Sequence, residues 1–82
     1  MADDEKTRWA IDVMTAWVQP DDAAFVHDRI EEYLAEPDGS SGLVTGLVNL
    51  AGLLLSGMEM TTGRSTAEIL QAIASSVATG ER

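Results

Sequence analysis

The chain has 82 residues, no cysteine and a formal net charge of −9, with 45% hydrophobic and 23% charged residues. This size and balance predict a single small domain over residues 1–82, and the lack of cysteine excludes disulfides and thiolate metal sites. Five Lys and Arg residues are scattered along the chain, which argues against a nucleic-acid partner and against binding to an anionic membrane surface. The acidic start, MADDEKTRWA, differs from a secretory signal and predicts a cytoplasmic location.

The first predicted helix runs roughly from Asp3 to Val18, and its acidic first turn suits the positive end of the helix dipole. It is bounded by the first of three turn-rich segments, at 19–22, 36–42 and 61–66, that divide the chain into four helices. Apolar residues cover more than half of its circumference, whereas a surface helix of a monomer needs a stripe about 100° wide. We therefore expect this helix to be covered on two sides.

The second predicted helix begins at Pro20, a favourable first helical residue, and stops before Pro37. The following sequence PDGSSG, at 37–42, predicts a turn. Phe25 lies outside the apolar face and next to Arg29, which predicts a half-buried aromatic ring at a seam. The apolar face of this helix consists of Ala23, Val26, Ile30, Tyr33 and Leu34.

The third predicted helix contains the uncharged stretch SGLVTGLVNLAGLLLSGM, at 41–58. A membrane span needs about 20 predominantly apolar residues and basic anchors, whereas this stretch includes Ser, Thr, Asn and four Gly between acidic flanks. We therefore predict a buried central helix and no membrane. Glycine inside a helix costs roughly 1 kcal/mol relative to alanine, so a strip of small residues indicates close backbone approach. The sequence leaves open whether the strip faces another subunit, the monomer core or solvent; it consists of Gly42, Thr45, Gly46, Asn49, Gly52 and Ser56.

The fourth predicted helix starts at STAE, where Ser65 and Glu68 have the spacing of a capping box. Gly63 is a plausible residue to close the preceding helix. The predicted buried face consists of Ile69, Leu70, Ile73, Ala74 and Val77. The second half of the chain, GLVNLAGLLLSGMEMTTGRSTAEILQAIA, resembles short actinobacterial all-helical proteins of unknown function. That resemblance implies the helical fold and no particular activity.

Candidate chemistry is sparse. His27 is the single histidine, and with Glu31 one turn later it predicts an ordinary surface pair rather than a metal site. Neighbouring carboxylates are typical of solvated helix faces, and the serines have no histidine near them in sequence. We therefore predict no catalytic residue, no metal and no cofactor.

One further stretch resembles a carrier motif. Acyl carrier proteins bear phosphopantetheine on the serine of an Asp-Ser-Leu motif at the start of a helix, and PDGSSGL at 37–43 is similar. The resemblance implies modification of Ser40 or Ser41. This chain departs from the motif, because glycine separates the aspartate from the serines and the following helix lacks acidic residues. We predict that both serines are unmodified turn and cap residues.

These observations predict an all-α, compact four-helix domain that forms a homodimeric bundle and acts as a non-enzymatic interaction or regulatory protein. The alternative functions are a carrier modified at Ser40 or Ser41 and an acidic mimic of nucleic acid that binds a basic protein partner. The first and third helices are expected to form the dimer interface, with aromatic side chains as anchors. The predicted interface residues are Trp9, Val13, Trp17, Gly42, Gly46, Asn49 and Gly52.

Overall fold

The computed structural model describes residues 2–19 and 23–80, and within those ranges it contains four α-helices and no strand. The helices are α1 (Ala2–Val18), α2 (Ala23–Leu34), α3 (Gly39–Thr62) and α4 (Thr66–Thr79). The predicted all-helical fold with four helices is confirmed. The predicted helix start at Pro20 lies outside the described residues. The chain divides into an N-terminal unit, residues 1–51, and a C-terminal unit, residues 52–82, with the boundary inside α3.

The turn before α3 is shorter than the sequence predicts. The helix begins at Gly39, and the Gly42 N–H donates to the Asp38 carbonyl at 2.8 Å. Residues 39–42 therefore form the first turn of α3, and the prediction of a turn there was wrong. Gly39 is buried so close to the carbonyl groups of Tyr33 and Leu34 that a Cβ would collide with them. Tertiary packing thus overrides the turn preference of the glycine and serines.

The N-terminal unit contains α1, α2 and the first half of α3. Its apolar core is small, and three of its buried residues recur at three-residue spacing on one stripe of α1. Next to this stripe, the rings of Trp9 and Tyr33 stack with centroids 4.9 Å apart and join α1 to α2. The buried apolar residues of this unit are Ala10, Val13, Ala16 and Leu43.

A close backbone approach joins α1 to the first half of α3. A Cβ at Gly46 would collide with the carbonyl oxygen of Lys6, and a Cβ at Gly42 would lie 3.0 Å from the Trp9 ring. Asn49 extends the contact, because its Nδ2 donates to Thr7 Oγ1 at 3.3 Å. This part of the small-residue strip therefore packs inside the N-terminal unit. The expected coverage of α1 on two sides is only partly met, because α2 and α3 of the same chain each cover part of it while Ile11, Trp17 and Val18 are exposed.

The C-terminal unit is a hairpin of α4 and the second half of α3. Gly63 has a positive φ of 76° and its N–H donates to the Glu59 carbonyl at 2.9 Å, which closes α3 as predicted. The predicted capping box is confirmed, since the Ser65 N–H donates to Glu68 Oε1 at 2.9 Å and the Glu68 N–H to Ser65 Oγ at 3.2 Å. The bonds with Ser65 lower the pKa of the Glu68 carboxyl.

Burial in α3 and α4 is much lower than the sequence predicts. The described residues of α3 that are buried are Gly39, Leu43 and two further glycines of its first half. In α4, Ile69 is 5% exposed, whereas Leu70, Ile73 and Val77 of the predicted buried face are exposed. The prediction of a buried central helix is therefore wrong for the single chain. Apolar periodicity identified the faces, but the chain supplies too few helices to cover a helix of 24 residues.

Candidate interaction surface

A polar cluster of three side chains links α1 to α2 in the N-terminal unit. The Tyr33 hydroxyl donates to Asp12 Oδ2 at 2.5 Å, and Arg29 Nη1 lies 3.8 Å from the same carboxylate oxygen. The hydrogen bond to Asp12, together with partial burial and the negative charge of that carboxylate, raises the pKa of Tyr33 to about 12. A phenol that holds its proton this firmly is a poor acid at neutral pH. The cluster therefore fixes two helices together.

The candidate chemical residues lie apart from this cluster. His27 Nε2 lies 3.9 Å from Glu31 Oε2, and both side chains are mostly exposed, as expected for a surface pair. Phe25 is 43% exposed, and the Arg29 guanidinium of the same helix lies 5.2 Å from its ring centroid, so its place at a seam stays a prediction. Within residues 2–19 and 23–80, no three His, Cys, Asp or Glu side chains come together as a metal site would require.

The two serines of the carrier motif are exposed at the start of α3. The Ser41 hydroxyl donates to the Asp38 carbonyl at 3.3 Å. Both serines are thus helical residues of the first turn, not turn residues as predicted. Whether either serine is modified stays a prediction.

The seven predicted interface residues fall into two groups. Val13, Gly42 and Gly46 are buried within the chain, and two others have partners there, since Trp9 stacks on Tyr33 and Asn49 bonds to Thr7. The remaining two have free surface: Trp17 is 65% exposed, and a Cβ at Gly52 would meet nothing within 4 Å. The structure brings the first group together as an intrachain seam between α1 and its neighbours. A role of any of the seven in a subunit contact stays a prediction.

The largest apolar feature of the C-terminal unit flanks the seam between α3 and α4. Five large apolar side chains there are between 44% and 70% exposed, and we call them the hairpin patch. On α4 they follow the spacing i, i+3, i+7 and on α3 the spacing i, i+4, which places each set on one helix face. The hairpin patch consists of Leu54, Met58, Leu70, Ile73 and Val77.

A groove runs into the hairpin patch at the end of the hairpin that carries the turn. It has a volume of about 380 Å³ and is open to solvent along its length. Ile69 lies at its base and is the buried large side chain of the unit. A groove of this kind accepts an apolar side chain more readily than a charged one, because its exposed surface is almost entirely apolar even though Thr62 and Arg64 contribute to it. The lining residues are Met58, Thr62, Arg64, Ile69, Ala72 and Ile73.

Sequence reasoning found the residues of the hairpin patch but assigned them to a buried core. The pattern of apolar spacing is the same whether a face is covered by the chain itself or by another molecule, so no sequence signal separated the two.

The helix that carries two of these residues, α3, is the one helix among the described residues that is long and apolar enough to cross a membrane. In its most apolar window, 17% of the residues are buried.

No family model, characterised protein or solved structure shows significant similarity to this chain.

Proposed function

We propose that the chain is a non-enzymatic interaction protein that works by self-association. The observation that supports the proposal most directly is the exposure of large aliphatic side chains on α3 and α4, with Val77 70% and Leu54 58% exposed. Contiguous exposed apolar surface on a small protein is typical of a site that another molecule covers.

The size of the chain supports the same proposal. The chain has 82 residues, just above the range of about 70–80 residues below which one hydrophobic core rarely supplies more than 3–5 kcal/mol. This chain has no cysteine to form disulfides. Association of subunits is the remaining common way to complete such a core, and closed two-fold dimers are the commonest soluble oligomers. The fraction of folded, associated protein then depends on its concentration, because folding and assembly are thermodynamically coupled.

Sedimentation equilibrium of the full chain between about 1 and 200 μM tests this proposal. We expect the average mass to rise from monomer to dimer across that range, and we expect helix content measured by circular dichroism to rise with it. A mass that stays at 8.8 kDa throughout would overturn the proposal.

The carrier function is the second candidate, and the exposure of Ser40 and Ser41 at the start of a helix favours it. Intact-mass measurement of protein from its native host separates the two functions. An unmodified chain supports the interaction protein. A phosphopantetheine adduct, located on either serine by peptide mapping, supports the carrier.

A further inference from the structure

We infer that the hairpin patch is the subunit interface, and that two copies of the C-terminal unit pair through it to form a four-helix core. This inference depends on the proposed self-association and names the surface that carries it. It replaces the glycine seam of α1 and α3 as the expected contact, because Gly42 and Gly46 already pack against α1 of the same chain.

The first argument is that the hairpin has an incomplete core. Ile69 is the large side chain that the hairpin buries, while the apolar side chains on both sides of the seam stay exposed. An amphipathic helix must bury its apolar stripe against another element, and two helices provide one seam between them. A second hairpin provides two more helices, and four helices around one core is a standard stable arrangement.

The second argument is area. A large aliphatic side chain has on the order of 100 Å² of apolar surface, so the hairpin patch presents several hundred Å². The alanine and threonine surface between the five side chains adds to this total. A standard interface takes about 800 Å² from each partner. The five side chains, each about half exposed, supply roughly a third of that area, and the surrounding surface of the hairpin has to supply the rest.

The third argument is charge. Residues 52–82 contain three acidic and two basic residues, a net charge of −1, whereas residues 1–51 contain eleven acidic and three basic residues, a net charge of −8. Two copies that meet through their acidic regions would repel each other. Two copies that meet through residues 52–82 bring almost no net charge together. Residues 52–82 can therefore pack against a second copy of themselves with little electrostatic repulsion.

A lipid bilayer is the competing occupant of this apolar surface. The uncharged run of α3 lies between two acidic residues, Asp38 immediately before the helix and Glu59 within its last turns. Basic anchors that would hold a helix end at lipid headgroups are absent from α3 itself. These features favour a protein partner, and vesicle binding is an outcome of the test below.

Charged and truncating substitutions in the hairpin patch test the inference by sedimentation equilibrium. Leu54→Glu and Val77→Glu each place a carboxylate in the proposed core, so we expect the Kd of the dimer to rise at least about 100-fold. Val77→Ala removes two methyl groups without adding charge, and alanine favours the helix, so it keeps α4 folded. We expect it to raise the Kd about 10-fold. Circular dichroism at equal concentration checks that each variant stays helical.

Met60→Glu is the matched control. Met60 is 87% exposed and lies two residues from Met58, on the opposite side of α3. This variant adds the same charge to the same unit outside the patch, so we expect a change in Kd of less than about 3-fold. An equally large effect of Met60→Glu would overturn the inference, because association would then not be specific to the patch.

The remaining outcomes separate this inference from the proposed function. A dimer that persists in Leu54→Glu and Val77→Glu but dissociates in Trp17→Ala overturns the inference and leaves self-association standing. A wild-type chain that remains monomeric overturns both. Flotation of the wild-type chain with neutral phosphatidylcholine vesicles, lost in Val77→Glu, identifies the patch as a lipid surface and also overturns the inference.

Discussion

The two units of this chain use opposite means to hold their helices together. The N-terminal unit combines buried alanines, a glycine that lets two backbones touch, and the Tyr33–Asp12 hydrogen bond. The C-terminal unit has a well-made turn, with the Gly63 closure and the Ser65 capping box, but buries one large side chain. Among the described residues, the N-terminal unit buries four apolar side chains and the C-terminal unit one, although both units leave large apolar side chains exposed.

This difference indicates where each unit obtains its stability. The N-terminal unit, with its charge of −8, makes polar contacts within the chain, such as Tyr33–Asp12 and Asn49–Thr7, although among the described residues the buried Nε of Arg29 has no hydrogen-bond partner. The C-terminal unit has little charge and much apolar surface, so its stability depends on what covers that surface. Substitutions confined to one unit therefore test this difference.

Replacing Gly46 has the largest expected effect. Gly46→Leu places a side chain where the Lys6 carbonyl lies, so α1 and α3 must separate. We expect the free energy of unfolding to fall by about 3 kcal/mol or more, measured by urea denaturation. Hydrogen exchange should accelerate in α1 and stay nearly unchanged in α4.

Gly52→Ala is the control for this variant, because it changes the same residue type in the same helix with open space around the new methyl group. It should stabilise the chain by up to about 1 kcal/mol, since alanine is the better helix former. Equal losses at both positions would show that the α1–α3 seam does not depend on close approach.

The next largest expected effect is that the stability of the C-terminal unit, but not that of the N-terminal unit, depends on protein concentration. If two copies cover the hairpin patch, each tenfold rise in protein concentration well above the Kd should stabilise α4 against opening by about 0.7 kcal/mol per chain, or about 1.4 kcal/mol over a hundredfold range, because free monomer rises only as the square root of total concentration. Hydrogen exchange followed by mass spectrometry measures this for each helix. We expect protection of α4 to increase with concentration and protection of α2 to change little. Protection of α4 that is independent of concentration would contradict the difference between the units.

The smallest expected effect concerns the polar cluster of the N-terminal unit. Tyr33→Phe removes the hydrogen bond to Asp12 and should cost about 1 kcal/mol in the free energy of unfolding at pH 8. The pKa of Tyr33 is raised to about 12 from its usual value of 10, so the folded state holds this proton more tightly than the unfolded state. The contribution of the protonated Tyr33 hydroxyl to the free energy of unfolding is fully present below pH 10 and is lost as the pH rises through 12.

Urea denaturation of the wild type and of Tyr33→Phe at several pH values between about 8 and 12 measures this loss. The difference in stability between the two proteins should shrink toward the upper end of that range, while other groups that titrate affect both proteins alike. A difference that stays constant with pH would show that the hydroxyl contributes through packing and not through its proton.

Sequence reasoning succeeded where the signal is local. The four helices, the closure of α3 at Gly63 and the Ser65–Glu68 box follow from propensities and caps that act within a few residues. It failed at the start of α3, where Gly39 and its serine neighbours have turn propensity but become helical because Gly39 packs against the end of α2. The helix and turn propensities of neighbouring residues do not predict a contact with another helix, such as that of Gly39 with the end of α2.

The sequence by itself determined which residues are apolar, which helix faces they share, and that the charge is concentrated in residues 1–51. Only the tertiary structure decided which of these faces are covered. Gly46 and Leu54 lie eight residues apart on one helix, yet the first contacts the backbone of α1 and the second is exposed. The reason is physical: helical periodicity defines the direction of a side chain, whereas burial depends on which other helix the chain brings to that side.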